Sequence, residues 1–295
     1  MWLPHRCDVP WPFALNPPGL VRCTLVWKVA PLPHLFRQKA TRTQMSAMVQ
    51  HENELMPSPP DESVIRARLN THFLKWLGAV PESGRSRLIV TTLRDDPGWD
   101  GKVRPIQGVT GPEGSVLAVA PGHAHLFDNV VVDDVFADAA SNGAIALLEA
   151  RLGVPVSFGL PIFRWSERVP DVPEAGEWCD ADDPRIPEWL RPFTGGVLIV
   201  FDEDGAYQAG VGLKRHNDIC REISVGTDPE HRGQGFATQL VAQAARRVIA
   251  EGGAPIYQHS GANDASGSVA DGAGFPDRGW HMLEIHPGAP GDIRG

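Results

Sequence analysis

The residues best placed for chemistry are Arg232-Gly233-Gln234-Gly235-Phe236-Ala237-Thr238, a glycine-rich loop between a strand-like run and a helical one. Ahead of it, Ile223, Val225 and Thr227 alternate with Ser224 and Gly226. Asp228-Pro229 then stops the strand, because proline fixes φ and donates no hydrogen bond. Behind the loop, Phe236, Leu240, Val241, Ala244, Ala245, Val248 and Ile249 recur with helical spacing, and Gln239, Gln243, Arg246, Arg247 and Glu251 fall on the other face. Gly252-Gly253, with Pro255 beyond, ends the helix. The loop glycines therefore stand at a helix N-terminus, where amides lack intrahelical partners and carry the positive end of the dipole. With no Cβ at Gly233 and Gly235 an anion can approach those amides, and Arg232 can add a charge-assisted contact. A pyrophosphate is the natural guest, although the same residues also fit an ordinary strand–turn–helix with a glycine-rich bend. Two other phosphate loops are excluded: no Gly-Lys-Ser/Thr follows, and Thr238 stands where a dinucleotide fingerprint needs its third glycine.

The spacing Arg232-x-x-Gly235-x-Ala237 resembles the acyl-CoA pyrophosphate loop of the GNAT superfamily of N-acyltransferases. A second stretch agrees in order and distance: Asn263, Ala265-Ser266, Ala270 and Gly274-Phe275 resemble the last conserved helix of that superfamily. The resemblance covers roughly residues 190 to 285. It implies a mixed α/β (α+β) fold with a mostly antiparallel sheet flanked by helices, and N-acetyl transfer from acetyl-CoA as co-substrate, without a metal. Carried residue by residue, it implies cofactor contacts from Val225, Gly226 and Thr227 on the strand. The loop would add Arg232, Gly233, Gln234, Gly235, Phe236, Ala237 and Thr238, and the last helix Asn263 and Ser266. One departure stands out. Many members carry a tyrosine seven residues after the asparagine, as general acid for the departing thiol, and here that position is Ala270. Some branches lack that tyrosine, and a cysteine-like thiol already ionises near ~8.5, so transfer survives the loss with the acid unassigned. The chain's only tyrosines, Tyr207 and Tyr257, do not match that position.

Transfer to an amine needs the neutral amine, and a lysine-like amine of pKa ~10.4 is only about 0.04% neutral at pH 7. A base is therefore sought nearby. Glu222, entering the strand before the loop, is the first candidate, unless it merely pairs with Arg221, Arg215 or Lys214. His216 and His259 are second-line bases. Amides around Val225 to Thr227 could polarise a thioester carbonyl. A noncatalytic acyl-CoA-binding module is the competing reading, and Ala270 is its best support.

Composition narrows the class. The chain has 295 residues, 42% hydrophobic and 21% charged, with 27 prolines, 31 glycines and a net charge of −9. That balance argues against a nonspecific nucleic-acid binder, which needs a basic stripe, and mildly favours a cationic acceptor. Cys7, Cys23, Cys179 and Cys220 have no metal-type spacing and no disulfide framework, which points to the reducing cytoplasm. Leu20 to Val29 is too short and charged to span a bilayer. The expected partners are acetyl-CoA and an amine acceptor, with no nucleic acid or membrane, in a monomer or homodimer.

Residues 1–58, rich in proline and without period, read as disordered or loosely packed, with Met45, Met48 or Met56 as alternative starts. An α/β half follows over 59–169, either a degenerate acyltransferase half or a cap shaping the acceptor site. Its expected elements are a helix from Asp61 to Leu77, a strand from Leu88 to Leu93 and a hairpin of Val103–Gly111 with Ser115–Ala120. A helix from Asp138 to Leu152 and a strand from Val154 to Leu160 complete it. Residues 170–192 read as linker with short helices, 193–286 as the acetyltransferase domain, and 287–295 as a tail. Trp165, Trp178, Trp189 and Trp280 fit either an acceptor cleft or the core.

Overall fold

The computed structural model describes residues 62–180 and 182–288. The segment read as loosely packed, Met45, Met48 and Met56, Cys7 and Cys23, and the tail after residue 288 lie outside the described residues.

The described residues open on helix α1, Glu62–Leu77, whose Ile65, Leu69, Phe73 and Leu77 recur at helical spacing and are all buried. Strand β1 (Ser86–Val90) follows, then the hairpin β2 (Ile106–Gly111) and β3 (Gly114–Val119). Helices α2 (Val132–Ala139) and α3 (Ala144–Leu152) lead to β4 (Val156–Gly159) and β5 (Ile162–Trp165). The second half contributes β6 (Glu177–Cys179), β7 (Val197–Phe201), β8 (Tyr207–Arg215) and β9 (Cys220–Thr227). It ends with α4 (Phe236–Ala250), β10 (Ala254–His259), α5 (Asp264–Gly272) and β11 (His281–Pro287).

All strands join one sheet in the order β1-β3-β2-β11-β5-β10-β9-β8-β7-β6, with β4 pairing β11 off that path. Pairing is antiparallel except for β1 with β3 and β9 with β10. The sheet is thus mixed, mostly antiparallel and flanked by helices, as expected from the family resemblance. Two strands cross between the halves: β5 pairs with β10, and β11 pairs with β2 along five residues. Helices cover both faces. Leu240, Val241, Ala244, Ala245 and Val248 of α4 pack with Val211, Leu213 and Ile223 on one side, where Ala270 and Phe275 join them. The core of α1, with Phe163, Trp165, Ile256 and Trp280, lies on the other. Helices α2 and α3 bury Ile106 of β2, Leu117 of β3, and Leu283 and Ile285 of β11.

Several element readings need correction. The run Leu88 to Leu93 is strand only to Val90, and Thr92–Arg94 turn as a 3₁₀ helix capped by the Thr91 hydroxyl, which accepts from Leu93 N–H at 3.3 Å. The helix read from Asp138 to Leu152 is two helices, broken around Gly143, whose left-handed φ of 81° favours glycine. Residues 170–192 hold the edge strand β6, and Gln243, read as solvent-facing, is buried beneath that segment. Its Oε1 accepts from Ala175 and Gly176 N–H at 3.2 and 3.1 Å, and its Nε2 donates to Gly176 O at 2.9 Å. Among the described residues no helix is long and apolar enough to cross a membrane.

Candidate active site

β9 and β10 stay together for only three register pairs, the last being Glu222 with Ile256. Beyond it β9 runs on to Thr227 and β10 to His259 with no pairing between them, so the sheet opens as a wedge. Side chains alternate across a strand. Ile223, Val225 and Thr227 of β9, with Tyr257 of β10, therefore face α4, whereas Glu222 and Gln258 face the side of α1. A cavity lies against each face.

The α4-side groove measures about 670 Å³. Every residue predicted to hold the cofactor lines it: Val225, Gly226, Thr227, Arg232, Gly233, Gln234, Gly235, Phe236, Ala237, Thr238, Asn263 and Ser266. Gly233 and Gly235 have φ of 78° and 85°, conformations that other residues adopt only under strain. A Cβ on Gly233 would meet nothing within 4 Å, and one on Gly235 only the end of Gln239, so the loop's surface is open. The first helical bond of α4 runs from Gln239 N–H to Gly235 O at 3.1 Å. The amides of Phe236, Ala237 and Thr238 precede it without helical partners, and all three residues line the groove. That donor set fits an anion such as a pyrophosphate. Asn263 caps α5, its Oδ1 accepting from Ser266 N–H at 3.0 Å.

Tyr257 completes this groove. It is the first residue of β10 past the last pair with β9, and its hydroxyl bonds Ser266 Oγ at 2.8 Å. Burial raises its pKa, and the Ser266 bond only partly offsets that, so the phenol stays protonated at neutral pH. Ala270 is fully buried in the same apolar cluster as Tyr257, so a hydroxyl comes to the groove from the strand beside Ala270 instead of from position 270. Tyr207 has a different task. Its Oη donates to Gly226 O at 2.9 Å, and burial pushes its pKa up to about 12.

The second cavity, about 330 Å³, lies on the α1 side and is lined by Glu222, His216, Lys214 and Gln258 together with residues of the first half. Glu222 is buried and engaged twice: Oε1 accepts from Lys214 Nζ at 2.5 Å and Oε2 from His216 Nε2 at 2.9 Å. Burial alone would raise its pKa. The His216 hydrogen bond and the charges of His216 and Lys214 overcome that and hold the carboxyl down at about 2. The ion pair with Lys214 foreseen as an alternative is thus present, and it leaves Glu222 a poor proton acceptor. An ionised carboxylate can only accept, so Glu222 holds a proton on His216 Nε2 and leaves Nδ1 as the ring nitrogen outside that bond.

His216 rests on a second histidine. His72 of α1 stacks on Trp76 with centroids 5.3 Å apart and meets the His216 ring edge-on at 6.2 Å. Asn217 Oδ1 accepts from the amides of Ile219 and Cys220, so its Nδ2 donates to His72 Nδ1 at 2.9 Å. Burial, aided by the neighbouring His216, lowers the His72 pKa to about 3 and keeps the ring neutral. His259 is not brought to either cavity. It is buried, its Nδ1–H donates to Ser260 O at 2.9 Å, and its Nε2 has no partner among the described residues. Of the four tryptophans singled out, Trp165 and Trp280 are core. Trp178 lies under Arg247 at 4.0 Å, and Trp189 is largely exposed. The α1-side cavity is lined instead by Trp76 and Trp99, with Arg94 and Gln107, none of which carries a motif.

Residues 162–275 match the model of the acetyltransferase (GNAT) family. No curated protein matches the chain. Solved structures resembling it include an acetyltransferase assigned to the GNAT family from Novosphingobium aromaticivorans, 20% identical with a TM-score of 0.39, covering 46% of this chain and 69% of that one. Another is a GNAT-family acetyltransferase from Colwellia psychrerythraea, 14% identical with a TM-score of 0.36, covering 48% of this chain and 60% of that one. A GCN5-related N-acetyltransferase from Kribbella flavida is 19% identical with a TM-score of 0.36, covering 53% and 69%. The stretch that the family model matches, residues 162–275, holds the groove, the wedge and Glu222.

Proposed function

We propose that the chain transfers the acetyl group of acetyl-CoA to an amine held in the α1-side cavity. The observation that carries this reading is the wedge between β9 and β10, with an anion-fitting groove on one face and the Glu222–His216 pair on the other. Tyr257 and Gln258 are adjacent on β10 and line opposite cavities, so the two sites meet at one point of the sheet.

In this scheme the loop amides and Arg232 bind the pyrophosphate of acetyl-CoA. The edge of β9 past Glu222, freed by the wedge, offers backbone donors to the pantetheine and to the thioester carbonyl. The amine nitrogen forms the new bond to the acetyl carbon and gives its proton to His216 Nδ1. As the carbon–sulfur bond breaks, the thiolate takes a proton from the Tyr257 hydroxyl, which is restored through Ser266 Oγ. Glu222 acts by orienting His216 rather than by accepting the proton. Residues 59–169 supply much of the acceptor wall, through Trp76, Arg94 and Gln107.

Calorimetric titration with acetyl-CoA, controlled with dephospho-CoA and NAD, followed by thiol release against an amine panel, tests this reading. Tight binding of acetyl-CoA with amine-dependent thiol release is the expected result. Binding without turnover on any amine would favour the noncatalytic acyl-CoA module, for which the apolar Ala270 is the supporting feature. Absence of binding would refute both.

A further inference from the structure

The acceptor-side cavity contains a cation that its own protein leaves without an anion. Arg94 closes the 3₁₀ turn after β1, is 7% exposed, and lines the cavity that Glu222 and His216 also line. Its Nη1 donates to Gln107 Oε1, which also accepts from Trp76 Nε1 at 2.9 Å, and its guanidinium lies 6.0 Å from the centre of the Trp76 ring. Gln107 Nε2 donates in turn to Glu284 Oε2 at 3.1 Å. The side chain is therefore fixed by neutral groups.

Its charge is not answered. Among the described residues no carboxylate lies within ion-pair distance of Arg94, and its Nε is buried without a partner. The other cations on the cavity wall mostly differ. Arg104 pairs with Asp100 and Glu284, Lys214 with Glu222, and Lys75 with Asp218. Asp96 and Glu284, both on the cavity wall, raise the Arg94 pKa by their fields, but neither forms an ion pair with it. Burial lowers that pKa to about 10, so the group is still a cation at neutral pH. A buried cation without a partner is costly, and a guanidinium facing a cavity matches a planar carboxylate with two parallel donors.

We propose that Arg94 is a carboxylate-binding subsite of the acceptor cavity, so that the acceptor is a small amino acid rather than a plain amine, a polyamine or a peptide terminus. The proposal rests on the acyl-transfer reading for the role of this cavity, and deepens it by naming the acceptor class. The amine of such a molecule lies at His216 while its carboxylate is held at Arg94. A volume of about 330 Å³ suits a molecule of that size.

The test uses the full chain saturated with CoA. Calorimetry measures binding of α-, β- and γ-amino acids, each against its own carboxamide, to the wild type, Arg94→Gln and Arg94→Lys. At least one acid should bind roughly 10- to 100-fold more tightly than its amide, the range expected for a charge-assisted contact. Arg94→Gln should erase that difference by weakening the acid alone, and Arg94→Lys should retain part of it. Unchanged amide affinity in Arg94→Gln would show that the cavity is still folded. Equal binding of acid and amide by the wild type, equal weakening of both by Arg94→Gln, or no binding of any acid would overturn the proposal. Thiol release on the same panel separates the two readings. Acids bound in an Arg94-dependent way but never acetylated would sink the transfer reading and uphold the subsite. Acids and amides acetylated equally well would do the reverse.

Discussion

Replacing Glu222 by glutamine keeps the side chain's volume and removes one charge from the pair that orients His216. The carboxyl is shifted from 4.5 to about 2, so the folded site favours its ionised form by roughly 3 kcal/mol. In Glu222→Gln that interaction disappears, and Lys214 and His216 lose their shared anion. Unfolding free energy should fall by about 3 kcal/mol, the lower end for breaking a buried pair, because Lys214 keeps some contact with water. The chemical effect is separate. A glutamine can accept from or donate to His216 Nε2, so the imidazole is no longer confined to the tautomer that leaves Nδ1 free. Mispositioning a general base costs about 10²–10⁴ in rate. The α4-side groove lies on the opposite face of the sheet, so on the proposed reading acetyl-CoA should bind as before. Thiol release, acetyl-CoA calorimetry and denaturant melts on the same preparation give the three quantities. A rate within twofold of wild type would remove Glu222 and His216 from the mechanism. A drop in acetyl-CoA affinity matching the drop in rate would show that the variant disturbs the sheet instead of the base.

Further outcomes are specific. Tyr257→Phe should lower kcat by about 10- to 100-fold with acetyl-CoA affinity unchanged, since a thiolate leaves tolerably without its acid; an unaltered kcat would return the general acid to the unassigned state. Gly235→Val places a β-branched residue at φ 85° and should abolish acetyl-CoA binding in titration, at about 1–3 kcal/mol of local strain; retained affinity would mean that the loop is only a bend. Acidification should destabilise the fold in two windows. His72 has its folded pKa lowered from 6.5 to about 3, so the unfolded chain binds the extra proton and stability falls below pH 6.5 by up to about 1.4 kcal/mol per pH unit. Glu222 has a depressed folded pKa, so its contribution is full above 4.5 and is lost as pH falls toward 2. Melting temperatures between pH 7 and 5 should fall less steeply in His72→Gln than in wild type, and identical slopes would refute the assignment.

The α4-side groove was legible because its determinants are local. Proline at 229, glycines at 233 and 235 and an apolar stripe from Phe236 to Val248 specify strand, turn and helix within one short window, and the geometry follows from backbone rules. The elements misread lack such windows. Asp138 to Leu152 has apolar spacing throughout, and only the left-handed Gly143 divides it. β6 is three residues long and exists because Gln243 and the edge of β7 hold its segment, a tertiary effect that no local pattern displays. Gln243 itself was assigned to the wrong face because a polar side chain on a helix is solvent-facing unless buried backbone groups claim it.

The α1-side cavity was illegible for a reason rooted in topology. Its wall is assembled from α1, the turn after β1, β2, β8, β9, β10 and β11, so Gln107 meets Glu284 across 177 residues and Trp76 meets Gln107 across 31. β11 brings Glu284 beside Gln107 by pairing with β2 of the other half. Each of these residues looks ordinary in its own segment, and Arg94 looks like any arginine after a strand. Its significance arises only when burial removes water and the fold supplies Gln107 and Trp76 but no carboxylate. A loop that binds a constant ligand can be written in consecutive residues, because the pyrophosphate meets backbone amides. A pocket that selects a variable acceptor is written in side chains drawn from distant segments, so a substitution at Arg94, Gln107 or Trp76 can change the acceptor without touching the loop. Arg94→Gln should accordingly leave acetyl-CoA affinity unchanged while altering acceptor choice, and a variant that weakened both would show that the two faces of the wedge are not independent.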